Sequence, residues 1–206
     1  MISSSVKFLL NDKLIEIKNP DPNQTLLNYI RTELKKTGTK EGCSEGGCGA
    51  CTIVLGELVD NKIEYKAINS CISFVPSLNG KQLIIVEDLV SQNGKLHPVQ
   101  DAMVKFHGSQ CGFCTPGFVM SLFSMFKNNK SLNNELITDS ISGNLCRCTG
   151  YRPIIDAAKS LNKINKNDQF SKNKNKVIQQ LKKIKPKNVY IKKDDKIYFS
   201  PKNIKD

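Results

Sequence analysis

The feature that most limits the fold of this chain is its set of eight cysteines, all of which lie within the first 148 of 206 residues. Three of them stand with four glycines in the stretch EGCSEGGCGAC, residues 41–51. The N-terminus has neither the long apolar segment of a secretory signal nor a twin arginine. Eight cysteines in such a chain are typical of metal binding or redox chemistry, and a disulfide-stapled fold is the weaker alternative.

The cysteines form two sets of four. The first set has the spacing C-x4-C-x2-C with a fourth cysteine 19 residues later: Cys43, Cys48, Cys51 and Cys71. The second has C-x2-C, then 31 residues, then C-x-C: Cys111, Cys114, Cys146 and Cys148. Structural zinc sites usually repeat a gap of two to four residues, whereas the first spacing is that of plant-type 2Fe-2S ligands. The second spacing is less specific, and zinc remains an alternative there.

Binding of an iron–sulfur cluster also explains the glycines around the first cysteine set. A sulfide-bridged cluster is a bulky anion, and backbone N–H groups must approach its sulfurs closely to stabilise it. A residue without Cβ permits that approach and tolerates positive φ where the loop curls. The residues in question are Gly42, Gly46, Gly47 and Gly49.

The N-terminal half has the pattern of strands around one helix. Apolar runs predict strands at 6–10, 14–17, 52–58, 62–68 and 83–86. Thr25 is the predicted N-cap of a helix whose apolar face runs from Leu26 to Leu34 and which stops at Gly38. This order of elements favours a β-grasp ferredoxin fold over residues 1–90.

After Ser91 the apolar spacing becomes helical, which predicts an all-α domain at residues 91–165. Four helices are expected: one from Pro98, one with Thr115 as N-cap, and two over 133–141 and 153–161. The methionines and phenylalanines of the second helix are expected in the core. The second cysteine set precedes the second and fourth helices, so two helix N-termini would face one anionic site. The predicted fold class is α+β, a β-grasp domain of the plant-type 2Fe-2S ferredoxin kind followed by an all-α four-helix domain that carries the second cysteine set.

The net charge of +12 is concentrated at the C-terminal end. Residues 161–206 contain 14 lysines and four acidic residues, whereas residues 1–160 carry a net charge of only +2. These lysines are not interleaved with arginines or with a set of stacking aromatics, so residues 166–206 are interpreted as a solvated basic linker. No nucleic-acid partner is expected. A zinc-stabilised, basic nucleic-acid-binding protein is the alternative from a different functional class.

Three stretches carry a resemblance to a known family. EGCSEGGCGACTIVLG, QCGFCTPGFVMSL and GNLCRCTGYRPIIDAA together resemble the iron–sulfur module of the molybdenum hydroxylases, most closely the small subunits of bacterial xanthine dehydrogenases. LHPVQDAM and HGSQCGFCTPGF are also similar to that family. The resemblance covers about residues 5–160, and all eight cysteines occupy family positions.

The resemblance implies one 2Fe-2S cluster on each cysteine set. It also implies that Gln110 and Cys148 lie against the molybdopterin of a partner chain. Electrons would pass from molybdenum through the second cluster and then the first to FAD and NAD, during hydroxylation of hypoxanthine or xanthine. The chain would be the electron-transfer subunit or fragment of a xanthine dehydrogenase, in a hetero-oligomer with a molybdopterin-binding large subunit and an FAD-binding subunit or domain. The same module in an aldehyde or carbon monoxide dehydrogenase is the near alternative.

The chain itself is expected to make no bonds in substrate, because it has no nucleophile–base arrangement and no phosphate-binding glycine motif followed by lysine. His97 and His107 are expected to form local hydrogen bonds at helix ends rather than to bind metal. Arg147 and Arg152 either offset the charge of the second cluster or are ordinary surface residues. The longest apolar runs are too short to cross a bilayer, so no membrane partner and a cytoplasmic location are expected.

The C-terminal stretch Lys196–Ile204 resembles the first strand of the flavin domain of the same family. Residues 166–206 are therefore predicted to be a linker that reaches the start of an FAD-binding domain. The alternative is a basic docking segment that orders on a partner subunit. In either case Val177, Ile178 and Leu181 predict one short helical turn.

Overall fold

The N-terminal half of the chain forms a five-stranded sheet. The computed structural model describes residues 2–184 and 188–201. The strand order is β3-β2-β6-β4-β5, with β2 and β6 parallel and the other neighbours antiparallel. The strands are β2 (Ser5–Leu10), β3 (Lys13–Lys18), β4 (Thr52–Val59), β5 (Lys62–Asn69) and β6 (Gln82–Ile84), after a short β1 (Ile2–Ser3) outside this sheet.

Both faces of this sheet are buried along strand β4, because successive side chains of a strand point to opposite sides. Ile53 and Leu55 of β4 pack with the first helical segment, α1 (Leu26–Asn28), in one core cluster. Val54 between them belongs to a second cluster, which contains the helices of the C-terminal half. The two halves of the protein therefore share a hydrophobic interface across the sheet.

The predicted helix after Thr25 is present in part. The Thr25 side chain accepts a hydrogen bond from Asn28 N, which confirms the predicted N-cap. The α-helical part covers only Leu26–Asn28 and continues as a π-helical turn, Tyr29–Glu33. It ends at Leu34, before the predicted stop at Gly38.

Four helices follow the sheet, as the sequence predicts: α2 (Pro98–Lys105), α3 (Thr115–Asn128), α4 (Asn134–Ile141) and α5 (Arg152–Ser160). Helix α3 is buried from Gly117 to Phe126, which confirms its methionines and phenylalanines as core. The predicted N-cap Thr115 is wrong, since Cys114 occupies that position and the Thr115 hydroxyl donates to Ser109 Oγ instead.

The last predicted strand is shorter than expected. It ends at Ile84, and a 3-10 turn (Val86–Leu89) follows where the sequence pattern continues the strand to Val86. The Asp88 carboxylate accepts a hydrogen bond from Ile85 N at 2.9 Å, which caps this turn.

The C-terminal segment is folded, and its interpretation as a solvated linker is wrong for the described residues. Helix α6 (Gln169–Lys183) buries Phe170, Val177 and Leu181, and a hairpin of β7 (Asn188–Lys193) and β8 (Lys196–Ser200) follows. Strand β7 pairs in parallel with β1, so the two ends of the chain meet in a three-stranded sheet. The predicted helical turn at residues 177–181 is thus part of a 15-residue helix. Residues 202–204 of the flavin-like stretch lie outside the described residues.

Helix α6 is joined to the helical half through His97. The His97 Nδ1 accepts a hydrogen bond from Val99 N, as the sequence predicts, but Nε2 donates to the Asp168 carboxylate at 2.9 Å. Lys127 Nζ donates to the same carboxylate at 2.7 and 2.9 Å. None of the helices among the described residues has the length and apolarity that a membrane span requires.

Candidate metal centres

The first cysteine set lies in the loop between the π-helical turn and β4, with Cys71 just after β5. The Cys43 sulfur accepts three backbone N–H groups, from Glu45 at 3.5 Å and from Gly47 and Cys48 at 3.3 Å each. These hydrogen bonds, led by the one from Glu45, lower the pKa of Cys43 to about 7. Gly46, with φ +80°, supplies the positive φ that the curled loop needs. The loop thus favours a thiolate, the form that binds metal.

The same loop places its other sulfurs in contact. Cys51 and Cys71 are buried, with their sulfurs 3.3 Å apart. Burial, and then the Cys51 sulfur, raise the pKa of the Cys71 thiol to about 11. The Cys48 side chain is in turn hydrogen bonded to the Cys43 sulfur. The four sulfurs therefore form two pairs.

The second cysteine set is also arranged in pairs, which join different segments of the chain. Cys114 is hydrogen bonded to Cys146, and Cys111 to Cys148. Burial, followed by the bond to Cys146, raises the pKa of the Cys114 thiol to about 12. Burial also opposes ionisation of Cys146, but the Thr149 hydroxyl and amide, 3.1 and 3.4 Å from its sulfur, hold its pKa below the usual value.

The helix ends at this site differ from the expectation. Cys114 is the N-cap of α3, so the free amides of that helix begin at the site. Helix α5 begins only at Arg152, four residues after Cys148. Arg152 is exposed and lies 3.7 Å from Asp156, which supports the surface interpretation of this arginine. Arg147 is also exposed.

One side of the second site is open to solvent. Cys111, Cys148 and Gln110 are all exposed. The side chains of Phe113 and Leu145 next to them are 48% and 57% exposed. Gln110 and Cys148 therefore share a solvent-accessible face with apolar surroundings.

The two cysteine sites touch each other, although the sequence places them in different predicted domains. Leu145 N, adjacent to Cys146, donates to the carbonyl of Cys48 at 3.0 Å. Asn144 is buried beside this contact and donates to the Gly49 carbonyl at 3.0 Å. Its Oδ1 accepts from the Ser121 hydroxyl at 2.7 Å.

This contact also requires a glycine in α3. A Cβ on Gly117 would lie 2.2 Å from the Gly49 carbonyl oxygen. The sequence does not predict the roles of Asn144, Ser121 and Gly117, because their partners are distant in sequence and no local pattern marks them.

The arrangement of sulfurs bears on the type of metal centre. In the part of the chain that the structure describes, no three His, Cys, Asp or Glu side chains gather around a position for a single metal ion. The sulfurs stand instead as four pairs. A 2Fe-2S cluster has four thiolates for two irons, so two neighbouring sulfurs per iron match its donor set.

Comparison with known proteins agrees with this donor set. Residues 8–76 match the model of the 2Fe-2S iron-sulfur cluster binding domain, and residues 85–159 match that of a second 2Fe-2S binding domain. The predicted α+β fold, a ferredoxin domain followed by a helical domain, is confirmed by these matches and by the sheet and helices. Two domains of this kind identify the bound groups as iron–sulfur clusters.

Two curated relatives match about three quarters of the chain. A xanthine dehydrogenase of Blastobotrys adeninivorans is 52% identical over 159 residues, 76% of this chain and 11% of the relative. An aldehyde oxidase of Homo sapiens is 44% identical over 160 residues, 77% of this chain and 12% of the relative. The chain thus spans about a ninth to an eighth of the length of these relatives.

Solved structures show the same similarity. A chain of quinoline 2-oxidoreductase from Pseudomonas putida 86 is 30% identical, with a TM-score of 0.62 over 88% of this chain and 98% of the other. The aldehyde oxidoreductase of Desulfovibrio gigas is 32% identical, with a TM-score of 0.66 over 88% of this chain and 18% of the other.

Proposed function

Because the chain belongs to the iron–sulfur modules of the molybdenum hydroxylase family, we propose that it relays electrons within a larger enzyme, from a molybdopterin site to FAD and then NAD. The observation that carries this proposal is the direct contact between the two cysteine sites. Two metal sites that only stabilised the fold would not need to be adjacent. An electron relay requires its two sites to lie close together.

We assign the eight cysteines as ligands of two 2Fe-2S clusters, four in each. The pairs seen in the structure suggest two sulfurs on each iron: Cys43 with Cys48, Cys51 with Cys71, Cys111 with Cys148, and Cys114 with Cys146. When bound, such clusters supply reversible one-electron storage. The three N–H groups on the Cys43 sulfur fit a ligand that must remain a thiolate.

The chain provides a short connection between its two ligand sets. From the Cys48 sulfur to the Cys146 sulfur, the route passes through the backbone of Cys48, one hydrogen bond, and the backbone of Leu145. Asn144 fixes this geometry, because it ties the residue before Leu145 to the carbonyl of Gly49, the residue after Cys48. The role of these residues in the relay is to hold the two sites at a constant separation.

The open faces of the two sites suggest where partners dock. At the second site the exposed Gln110 and Cys148 would face molybdopterin in a large subunit, as the family resemblance implies. At the first site Ile72 and Phe74, 56% and 40% exposed, would meet an FAD-binding subunit or domain. We further propose that the stretch from Lys196 begins such a flavin domain. The expected assembly is a hetero-oligomer.

The parent enzyme is proposed to be a xanthine dehydrogenase acting on purines. The 52% identity to one such enzyme supports this choice. The second candidate is an aldehyde oxidase, which the 44% identity to the human enzyme favours almost as well. The two candidates are separated by comparing xanthine and an aldehyde as reductants of the assembled parent complex.

The ligand assignment predicts the behaviour of two single variants. Cys51→Ser and Cys114→Ser should each remove one cluster, so that iron falls from about four to about two per chain. Reductive titration with dithionite should then show uptake of about one electron in place of about two. Iron analysis and the titration, both on anaerobically purified protein, measure this directly.

The matched control is Leu145→Ala, which keeps the N–H group bonded to Cys48 and changes no proposed ligand. It should retain both clusters. Loss of both clusters from either cysteine variant alone would show that the two ligand sets are not independent, and retention of both would refute the assignment.

A further inference from the structure

A cleft on the far side of the helical half gathers lysines that the electron relay does not use. It has a volume of about 710 Å³ and lies between the β4–β5 hairpin, the C-terminal end of α3, and the segment around α6. Its lining includes six lysines and two acidic residues: Lys62, Lys66, Lys127, Lys130, Lys166, Lys174, Asp60 and Glu64. We call this the lysine cleft.

Among the residues that the structure describes, four of the six lysines form no salt bridge. Lys66 pairs with Glu57, and Lys127 pairs with Asp168. The other four have no carboxylate within salt-bridge distance in residues 2–184 and 188–201: Lys62, Lys130, Lys166 and Lys174. The six lysines face four carboxylates, Asp60 and Glu64 in the lining and the salt-bridge partners Glu57 and Asp168, so the lysine cleft keeps a net positive charge of two.

The ammonium groups of the cleft repel one another. Burial lowers the pKa of Lys127. The hydrogen bond to Asp168 opposes this shift, and repulsion from Lys174 lowers the pKa further. Burial and then Lys127 lower the pKa of Lys166, whose Nζ lies 5.0 Å from the centre of the Phe126 ring. An anion between these lysines would relieve a repulsion that the protein otherwise carries.

The iron–sulfur sites do not account for this charge. Cys114 stands at one end of α3 and the lysine cleft at the other, and a 14-residue helix is about 20 Å long. Charges at that distance are largely screened, because the Debye length at physiological ionic strength is about 8 Å. The lysines must be explained locally.

We propose that the lysine cleft binds a small molecule that carries two or more phosphate groups. Its concave shape and volume fit a small-molecule site. Several separate ammonium groups, with no arginine among them, suit phosphates as point charges. A single-stranded nucleic acid fits less well, because Tyr65, the only aromatic residue among the described residues of the lining, is 6% exposed and cannot stack on bases.

The test is calorimetric titration of the 206-residue chain with sodium tripolyphosphate at about 0.1 M salt. Lys166→Gln/Lys174→Gln should weaken binding by about tenfold or more. The matched control is Lys182→Gln/Lys193→Gln, which removes two exposed lysines of the same C-terminal segment outside the cleft. It should change the affinity by less than about twofold.

Three results would overturn the proposal. The first is no heat of binding from the wild-type protein, and the second is an equal loss of affinity in both double variants, which would mean non-specific attraction to the basic segment. A single-stranded oligonucleotide that binds more tightly than tripolyphosphate, with binding lost in the cleft variant, would identify a nucleic-acid site instead. Unchanged visible spectra and circular dichroism of the variants verify that they fold.

Discussion

Replacing Gly117 with alanine is expected to lower the free energy of unfolding by roughly 3 kcal/mol and to disturb both cysteine sites. The added Cβ would lie 2.2 Å from the Gly49 carbonyl oxygen and 3.1 Å from Asn144 Nδ2. The first of these atoms is backbone within the loop between Cys48 and Cys51, so it cannot move without shifting the ligands. Denaturant titration and the iron content of the purified variant measure the two effects.

Gly143→Ala is the matched control, because a Cβ at that position meets no atom within 4 Å. It should change the free energy of unfolding by no more than about 0.5 kcal/mol. If Gly117→Ala were as stable as this control and held as much iron, the close contact between the two sites would not be a requirement of the fold.

Replacing Asp168 with alanine is expected to cost about 3–5 kcal/mol of folding free energy. The side chains at this site are almost fully buried: Asp168 is 5% exposed, Lys127 6% and His97 1%. The change therefore removes the hydrogen-bond acceptor of a buried ammonium group and of a buried imidazole N–H. It also removes the N-cap of α6, since the carboxylate accepts a hydrogen bond from Ser171 N at 2.8 Å. Denaturant titration at pH 7 gives the loss directly.

The control is Asp139, which is exposed and whose side chain makes no salt bridge within residues 2–184 and 188–201. Asp139→Ala should remain within about 0.5 kcal/mol of the wild type. A similar small loss for Asp168→Ala would mean that the buried group contributes little to holding α6 in place.

The same group predicts a dependence of stability on pH. Burial alone would raise the pKa of Asp168, but hydrogen bonds from His97 and Lys127 hold it well below its usual range. Its stabilising contribution is therefore complete above the unfolded-state pKa of about 3.9 and is lost as the pH falls below that value. The difference in stability between wild type and Asp168→Asn should shrink on going from pH 7 to pH 3.

Much of the fold is accessible from sequence because its signals are local. Strand alternation, the Thr25 cap and the apolar face of α3 depend on neighbours within a few residues, and the structure confirms them. The spacing of the first cysteine set is likewise a local signal. It indicates an iron–sulfur site before any three-dimensional information is available.

The unpredicted features depend on contacts between distant residues. Asn144 has its partners at Gly49 and Ser121, so its spacing along the chain is uninformative. The sequence of the C-terminal segment is misleading for a different reason. Its many lysines give a strongly polar average, although α6 has an apolar face with Phe170 and Val177 seven residues apart on the same side.

The iron and acid-labile sulfide content of anaerobically purified protein, with its visible spectrum, distinguishes a relay of two iron–sulfur clusters from a zinc protein. Two 2Fe-2S clusters give about four irons and four sulfides per chain and the absorption of ferric sulfide clusters. A colourless protein with about two zinc ions and no labile sulfide would contradict this assignment.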